Sequence, residues 1–594
     1  MTDPNLLSTI IDKARLWLDD GFDEQTRAEV RRMLDEDQEG LTEAFYTDLE
    51  FGTGGLRGIM GVGTNRVNIY TIGMATQGLA NYLKKSYPAG TRLKAAVTYD
   101  SRNQSRLFAE TTADVFSANG IEVYLTRELR PTPELSFAIR HFGCHSGVVV
   151  TASHNPKEYN GYKVYWSDGG QVVPPHDKGI IAEVKSIRSI REVKFGAVRE
   201  KIHLVGDELD EAYLEKVCSL SLNPEIIRQQ SDFPMVFTPI HGSSVKLVPM
   251  ALQRMGFKNI IHVPEQDVPD GNFPTVHSPN PEEKAALNMA IEKARVSGAA
   301  LVMASDPDGD RVGIAVRRKD GDYQLLNGNQ TGALMVYYLL SQLHRQGKLK
   351  GNEYIARTIV TTALFDEIAS KFGVKTYHVL TGFKYIAELI RNKEGQELFI
   401  GGGEESYGFM VGDFVRDKDA VASCLLIAET AAWAKSNGWS LLDLLDNIYK
   451  EFALYHEHLI SIVRKGKSGQ EEIAAMMERL RSSPPQSLGG SNVMMVHDFQ
   501  AGKSYDQISH LRYDLLLPKS NVLQFVTQDG SVVSARPSGT EPKIKFYFSV
   551  RQPVPSGITP AEVKKELEGK VEKMIRELGV ENWQAKSPGY ENLS

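Results

Sequence analysis

Short apolar runs alternate with helical patterns along most of this chain, and that alternation most strongly limits the folds it can adopt. LKAAVTYD (93–100), IEVYLT (121–126) and GVVVTA (147–152) are β-branched runs separated by residues at helical spacing. Strands that alternate with helices predict a mainly parallel sheet covered by helices. Similar alternation recurs around MVFTPI (235–240) and around YIARTIVTT (354–362). We therefore predict three mixed α/β domains.

The two ends of the chain depart from this alternation. Two helical patterns precede residue 38, which predicts a helical extension on the first domain. Beyond residue 455, several strand patterns and an amphipathic helix near 560–578 indicate a small α+β domain. A chain of 594 residues has room for roughly three to five domains. The boundaries that we predict are 1–204, 205–325, 326–455 and 456–594.

The amino-acid composition limits the kinds of molecule that the protein is expected to bind. The 68 Lys and Arg residues against 75 Asp and Glu leave a net charge of -7, which argues against binding to nucleic acid or to an anionic membrane. No apolar run reaches 18 residues, and the N-terminus has no basic and apolar leader pattern. The three cysteines are widely separated, which fits a reducing compartment. We expect a cytoplasmic protein, monomeric or weakly dimeric, whose partners are small molecules.

Two polar turns follow apolar runs and carry residues suited to chemistry. Ser153 comes directly after GVVVTA, so we expect its hydroxyl to face the solvent of a cleft, although an ordinary turn has the same pattern. Asp306, Asp308 and Asp310 alternate in the second turn, where their mutual repulsion would destabilise the fold unless a cation lies between them. Solvated surface acids are the alternative. Oxygen ligands of this kind, with room for a phosphate oxygen, suit Mg²⁺.

Two further loops suit a sugar phosphate, and a third is notable for its glycines. Glu404 and Ser406 in GGGEESYG offer groups that bind sugar hydroxyls. The turn SARPSGTEP (534–542) offers an arginine fork, hydroxyls and backbone N–H groups to a phosphate, through Arg536, Ser538, Gly539 and Thr540. The glycine-dense FGTGGLRGIMG (51–61) lacks a Walker lysine and carries Arg57. Each of these loops could be a plain turn. Taken together with the serine and aspartate turns, however, the sugar and phosphate loops indicate phosphoryl transfer on a phosphorylated sugar.

The loops, in this order, resemble those of the α-D-phosphohexomutase superfamily. TASHNP (151–156) is similar to its phosphoserine loop and DPDGDR (306–311) to its metal loop. GEESYG (403–408) resembles its sugar-binding loop, RPSGTEP (536–542) its phosphate-binding loop, and DGNFPTVHSPNPE (270–282) a segment of its second domain. The resemblance implies three related α/β domains and a C-terminal domain around a central active-site cleft. NGYKVYW and the N-terminal extension look like the phosphoglucomutase/phosphopentomutase branch.

The resemblance also implies a role for each matched residue. Ser153 would carry the phosphoryl group and, with Asp306, Asp308 and Asp310, bind Mg²⁺. Arg57 and Arg311 would be active-site arginines, and His154 and Lys163 an acid/base or phosphate-contacting pair. The substrate would be contacted by Glu404, Ser406, Thr381, Gly382, Lys384, Arg536, Ser538, Gly539 and Thr540.

The implied reaction interconverts glucose 1-phosphate and glucose 6-phosphate through a bound glucose 1,6-bisphosphate. Mannose or pentose phosphates are alternative substrates for the same mechanism. A Mg²⁺-dependent sugar phosphatase and a non-catalytic protein that binds sugar phosphates are the alternatives outside the mutase class.

Overall fold

Two units make up the chain, as described by a computed structural model that covers residues 4–50, 55–464, 466–538 and 542–581. The first unit comprises Met1–Thr331 and Phe383–Gly438, and the second comprises Gly332–Gly382 and Trp439–Ser594. The first unit therefore contains Ser153, the three aspartates and the GEESYG turn. The second contains the RPSGTEP segment.

Three helices form the N-terminal extension: α1 (Pro4–Leu16), α2 (Glu24–Glu36) and α3 (Gln38–Phe45). The sequence predicts two helices here, and the structure has a third because Asp37 ends α2 and also caps α3, where its side chain accepts a hydrogen bond from the Gly40 N–H. Trp17 and Phe22 stack with ring centroids 4.7 Å apart. Both pack against Tyr70, so the extension shares a core with the first domain.

The first sheet has six strands: β1 (Gly55–Ile59), β2 (Lys94–Tyr99), β3 (Glu122–Thr126), β4 (Ser146–Val150), β5 (Tyr159–Trp166) and β6 (Ile202–Val205). Their order is β1-β5-β4-β2-β3-β6. Strands β4, β2, β3 and β6 run parallel, whereas β5 is antiparallel to both β4 and β1. The helices of this region are α4 (Ile69–Ser86), α5 (Ser105–Ala118), α6 (Thr132–His141) and α7 (His176–Ser186), with 3-10 turns at Ile190–Glu192 and Arg199–Lys201.

The second sheet has five strands: β7 (Met235–Thr238), β8 (Ile260–His262), β9 (Leu301–Ser305), β10 (Val312–Arg317) and β11 (Tyr323–Leu326). Their order is β11-β10-β9-β7-β8, with β9, β7 and β8 parallel. The helices here are α8 (Asp207–Ser219), α9 (Pro224–Gln229), α10 (Leu247–Met255) and α11 (Lys284–Ser297), with a 3-10 turn at Ser243–Val245. The aspartate turn joins β9 to the antiparallel β10.

Residues 328–436 contribute to both units. Helix α12 (Gly328–Arg345) begins in the first unit and leads to β12 (Glu353–Thr358), α13 (Leu364–Lys371) and β13 (Lys375–Val379) of the second. There β12 and β13 pair in parallel. The chain then returns to the first unit with α14 (Phe383–Lys393), β14 (Leu398–Gly403), β15 (Phe409–Val411) and α15 (Ala420–Ser436), and β14 pairs antiparallel with β15.

The C-terminal part of the second unit is an antiparallel sheet with helices. After α16 (Leu441–Glu451) come β16 (Leu454–Val463), α17 (Gly466–Ser482), β17 (Ser487–Leu488), β18 (Ser491–Asp498), β19 (Lys503–Asp506), β20 (Arg512–Asp514), β21 (Leu523–Thr527), β22 (Val532–Pro537), β23 (Lys543–Gln552) and α18 (Pro560–Glu577). The order is β16-β23-β22-β21-β18-β19-β20, and β17 pairs with β18. Mixed α/β sheets followed by an α+β domain confirm the predicted fold class. No helix in the described ranges is long and apolar enough to traverse a bilayer.

Candidate active site

Ser153 lies three residues beyond β4, in a turn whose backbone is strained. Its φ of 53° is in the left-handed region, which a serine seldom adopts. Its N–H donates to Thr151 Oγ1 at 2.8 Å, and its hydroxyl donates to Asp306 Oδ2 at 3.0 Å. The residue is only 4% exposed, so the expectation that its hydroxyl faces the solvent of a cleft is wrong in this structure. The aspartate turn packs against it and excludes solvent.

Arg102, which the sequence analysis did not single out, fastens the Ser153 loop. This buried guanidinium donates to the carbonyls of Ser153 at 2.6 Å, Pro156 at 2.9 Å and Tyr159 at 3.0 Å, and also to the carbonyl of Asn155. Phe273 covers it, with the ring centre 5.2 Å from Arg102 Cζ. Five donors on one rigid fork suit a loop whose carbonyls all point inward. The only sequence signal is an arginine in the polar turn directly after β2.

The three aspartates of the second turn converge as predicted. Asp306, Asp308 and Asp310 each place one carboxylate oxygen within 4.8 Å of the others, and all three residues are buried. The Oδ1 atoms of Asp308 and Asp310 are buried without a hydrogen-bond partner. Burial and the two neighbouring carboxylates raise the pKa of Asp306 well above its usual value. Buried orphan oxygens in an all-carboxylate cluster fit a hard divalent cation such as Mg²⁺.

Neighbouring groups hold the aspartate turn in this shape. Asp306 Oδ1 accepts hydrogen bonds from the backbone N–H of Asp310 at 3.1 Å and of Arg311 at 3.0 Å. Thr132, at the start of α6, donates from its N–H to the Asp308 carbonyl at 2.8 Å and from its hydroxyl to Asp308 Oδ2 at 3.2 Å. Because Lys163 Nζ also donates to that Oδ2, at 2.7 Å, Asp308 is left with Oδ1 as its free oxygen.

Two lysines, the partly buried Lys163 and the buried Lys418, balance the carboxylates. Burial alone would raise the pKa of Asp308, but Lys163 outweighs it and holds that pKa below its usual value. Lys418, between β15 and α15, lies with Nζ 3.2 Å from Asp310 Oδ2 and 3.0 Å from Asp417 Oδ1. Burial alone would lower the pKa of Lys418, yet the carboxylates, Asp310 foremost, raise it above its usual value. Lys418 is a site residue that the sequence analysis missed, and its signal is the charged run RDKD (416–419).

The predicted arginines and His154 surround the serine loop. Arg57, on β1, donates to Asn155 Oδ1 at 3.0 Å. Arg311 pairs with Glu282 Oε1 at 2.7 Å, so the DGNFPTVHSPNPE segment orients an arginine of the aspartate turn. His154 Nδ1 lies 3.2 Å from Ser153 Oγ. Burial, with Arg311 and Arg57, lowers the pKa of His154 well below its usual value.

The GEESYG turn joins this group through its backbone. The Tyr407 carbonyl accepts a hydrogen bond from the Val312 N–H at 3.1 Å, directly beyond the aspartates. Glu404 is buried, and its N–H donates to the Gly408 carbonyl at 2.8 Å, while Ser406 is partly exposed. A side chain at position 408 would collide with Lys418, which explains the glycine there.

The remaining predicted substrate residues have these positions. Lys384 is in the first turn of α14, with Nζ 5.1 Å from the Tyr385 ring centre. Thr381 and Gly382 precede that helix, at the end of a segment of the second unit. Arg536 is on β22, and the Ser538 N–H donates to the Lys543 carbonyl at 2.7 Å. Gly539 and Thr540 lie outside the described residues.

Comparison with family models matches the four domains in order. The models are those of phosphoglucomutase/phosphomannomutase: alpha/beta/alpha domain I at residues 48–191, domain II at 211–321, domain III at 327–452, and the C-terminal domain at 489–581.

Relatives that match most of the chain are phosphoglucomutases of staphylococci. The chain is 36% identical over 508 residues to a phosphoglucomutase from Staphylococcus haemolyticus, covering 86% of this chain and 91% of the relative. It is 36% identical over 542 residues to that of Staphylococcus aureus strain USA300, covering 91% and 95%.

Among solved structures, parafusin, a phosphoglucomutase from Paramecium, superposes with a TM-score of 0.68 at 18% identity, covering 92% of this chain and 98% of that one. A phosphoglucomutase/phosphomannomutase family protein from Burkholderia thailandensis gives 0.63 at 17% identity, covering 91% and 98%. At 17% and 18% identity the solved structures show only that the fold is shared. The staphylococcal sequences, at 36% identity, show that the chain is related to these proteins. The chain belongs to the phosphoglucomutase/phosphomannomutase family.

Proposed function

We propose that this chain is a phosphoglucomutase that interconverts α-D-glucose 1-phosphate and glucose 6-phosphate, with Ser153 as the phosphoryl carrier. The observation that carries the proposal is the 3.0 Å contact between Ser153 Oγ and Asp306 Oδ2, which places the hydroxyl against a buried carboxylate cluster. A hydroxyl there, once phosphorylated, would bring about two negative charges to the site. The staphylococcal phosphoglucomutases support this choice of reaction.

The charges around Ser153 suit phosphoryl transfer. Lys163 and Lys418 are held protonated by Asp308 and Asp310, so both remain cationic beside a phosphoserine. Arg57 is held by Asn155 of the serine loop, and Arg311 is held by Glu282. Fixed cations stabilise the charge that spreads over the equatorial oxygens during transfer. Mg²⁺, held by Asp306, Asp308, Asp310 and an oxygen on Ser153, would add a Lewis acid that neutralises phosphoryl oxygens.

In the forward step the bond from phosphorus to Ser153 Oγ breaks as the bond to the sugar hydroxyl oxygen forms. The sugar hydroxyl gives its proton to a neutral imidazole, which passes that proton on to Ser153 Oγ as the serine leaves phosphorus. We assign proton transfer at Ser153 to His154, whose Nδ1 is 3.2 Å from Oγ, because the Lys163 ammonium is already donating to Asp308. The 1,6-bisphosphate then reverses its orientation, and its other phosphoryl group returns to Ser153.

In this proposal, each part of the substrate is assigned to residues whose chemical groups can bind it. Glu404 and Ser406 would hold sugar hydroxyls. The group of Thr381, Gly382, Lys384, Arg536, Ser538, Gly539 and Thr540 would hold the rest of the substrate, including its non-reacting phosphate. We also propose a reducing, cytoplasmic location, which is supported by the unpaired state of Cys144, Cys218 and Cys424.

A coupled assay tests the proposal. Glucose 1-phosphate, Mg²⁺ and a trace of glucose 1,6-bisphosphate should yield glucose 6-phosphate, and intact-mass analysis should find one phosphoryl group that Ser153→Ala removes together with activity. Ser186→Ala, at an exposed serine ending α7, is the matched control and should keep both. Release of inorganic phosphate in place of glucose 6-phosphate would identify a phosphatase. Faster turnover of mannose or ribose 1-phosphate would reassign the substrate.

A further inference from the structure

The β19–β20 hairpin ends the C-terminal sheet with an unusually apolar edge. No strand among the described residues pairs with the outer side of β20. Ile508 is 64% exposed, Leu511 56%, Tyr513 48% and Leu516 98%. Four large apolar side chains are exposed within nine residues beside the open edge of β20, and isolated proteins usually avoid such a surface.

The hydrogen bonds of the hairpin show which backbone groups face outward. The Leu511 carbonyl accepts from the Asp506 N–H, and the Leu515 N–H donates to the Gly502 carbonyl, each at 3.0 Å. Backbone groups alternate in direction along an antiparallel strand, so the N–H and C=O of Arg512 and Asp514 point away from β19. The free edge thus presents one donor and one acceptor on each of two residues that flank Tyr513.

This edge is complementary to itself. We propose that β20 pairs in antiparallel fashion with β20 of a second copy of this chain, across a two-fold axis at Tyr513. In that register Arg512 lies opposite Asp514 of the second copy, and Asp514 opposite the second Arg512, so each pair exchanges two backbone hydrogen bonds. Opposite charges across the strands add to the pairing.

The side chains already present reinforce this register. Asp514 Oδ1 is 2.5 Å from Lys503 Nζ of its own strand pair, so the dimer would place this carboxylate between two cations. Arg512 lies over the Tyr505 ring, at 5.1 Å from its centre, and would keep that contact while facing the second Asp514. On the other face, Tyr513 meets its own copy as a non-hydrogen-bonded pair, where side chains approach most closely.

The strand is short, which sets the strength of the association. A pair of three-residue strands with flanking apolar side chains buries less than the roughly 1,200 Å² typical of stable complexes. The dimer should therefore be weak and depend on concentration. This association is independent of the proposed catalytic function.

Complementary charge variants of the full-length protein test the register. The Arg512→Asp chain presents two carboxylates at the edge, and the Asp514→Lys chain presents two cations, so each should stay monomeric in sedimentation velocity at concentrations where the unmodified chain dimerises. An equimolar mixture of the two variants should regain the dimer. The matched controls are Arg318→Asp and Asp320→Lys, which alter an exposed pair at the same spacing and should leave the association unchanged.

A crosslink gives a second, independent readout. Tyr513→Cys places two thiols on the proposed axis, where the Cβ atoms of a non-hydrogen-bonded pair are close enough for a disulfide. Oxidation should yield a covalent dimer, whereas Arg318→Cys should not. A chain that is monomeric at every concentration, variants that dimerise as well as the unmodified chain, or a mixture that fails to associate would each overturn the proposal.

Discussion

Ser153 combines a strained backbone with a buried hydroxyl, and both follow from the groups that hold its loop. Left-handed φ values cost a non-glycine residue about 1 to 3 kcal/mol and persist only where the surroundings enforce them. Here Arg102 binds four carbonyls of the loop, and Asp306 accepts the hydroxyl. These contacts therefore maintain the strained backbone and keep Oγ beside the carboxylates.

Replacing Ser153 should separate stability from chemistry. Ser153→Gly and Ser153→Ala both remove the phosphoryl acceptor, so both should lose mutase activity. Because glycine adopts positive φ freely, the Gly variant should be more stable than the Ala variant by about 1 kcal/mol. Urea unfolding of the two variants measures this difference. Equal midpoints would mean that the backbone strain at this position has been relieved in solution.

Thr132 is a positioning residue for Asp308. Thr132→Val removes the hydroxyl that donates to Asp308 Oδ2 and keeps the side-chain volume, so Oδ1 should lose its fixed direction. Groups that orient metal ligands typically contribute about 10- to 100-fold in affinity. We expect the Kd for Mg²⁺, measured by calorimetry on the protein without substrate, to rise about tenfold. Thr132→Ser should bind Mg²⁺ nearly as well as the unmodified chain, and an unchanged Kd in the Val variant would refute this role.

At the scale of elements, α15 begins at the active site, and its first residue is hydrogen-bonded to the aspartate turn. The Ala420 N–H donates to the Gly309 carbonyl at 3.2 Å. Asp419 caps the helix, accepting from the Ala422 N–H at 2.9 Å and from the Tyr213 hydroxyl at 2.8 Å. Burial raises the pKa of Asp419 from 3.8 to about 6. Its ionised form is therefore disfavoured in the folded protein.

Asp419 should make stability depend on pH. Its folded-state pKa is raised, so its contribution is fully present below about pH 4 and is lost as the pH rises through about 6. A shift of this size corresponds to about 3 kcal/mol. Asn still caps a helix but does not titrate, so Asp419→Asn should gain stability relative to the unmodified chain as pH rises from 4 to 7. Urea unfolding across that range checks the expectation, which a pH-independent difference would contradict.

At the scale of the whole molecule, the chain divides into two units that contain different sheets. The first holds the aspartate cluster together with the six-stranded and the five-stranded sheets. The second holds the long antiparallel sheet. A ligand that binds only one folded unit stabilises that unit alone when the units unfold separately.

If the two units unfold separately, scanning calorimetry should resolve two transitions. Added Mg²⁺ should raise the midpoint of the first unit's transition and leave the other in place. Substitutions at the buried Phe116 and Phe525 assign the two transitions to the units. Phe116→Ala should lower only the transition that Mg²⁺ raises, and Phe525→Ala should lower only the other. Each substitution should reduce the free energy of unfolding of its unit by about 3 to 5 kcal/mol. A single transition that both substitutions lower equally would show that the chain unfolds as one cooperative unit.

The sequence by itself determined the elements and the reactive groups of this protein. Strand and helix periodicities are local, so the mixed α/β sheets and the C-terminal α+β domain could be predicted, and so could Asp306, Asp308 and Asp310 as a cluster, because two-residue spacing in one turn keeps carboxylates close. Only the tertiary structure decided which distant groups complete the site. Arg102, Thr132 and Lys418 lie far along the chain from what they bind, and their contacts depend on how sheets place loops side by side. The same packing buried Ser153, since the aspartate turn that covers it begins 153 residues later.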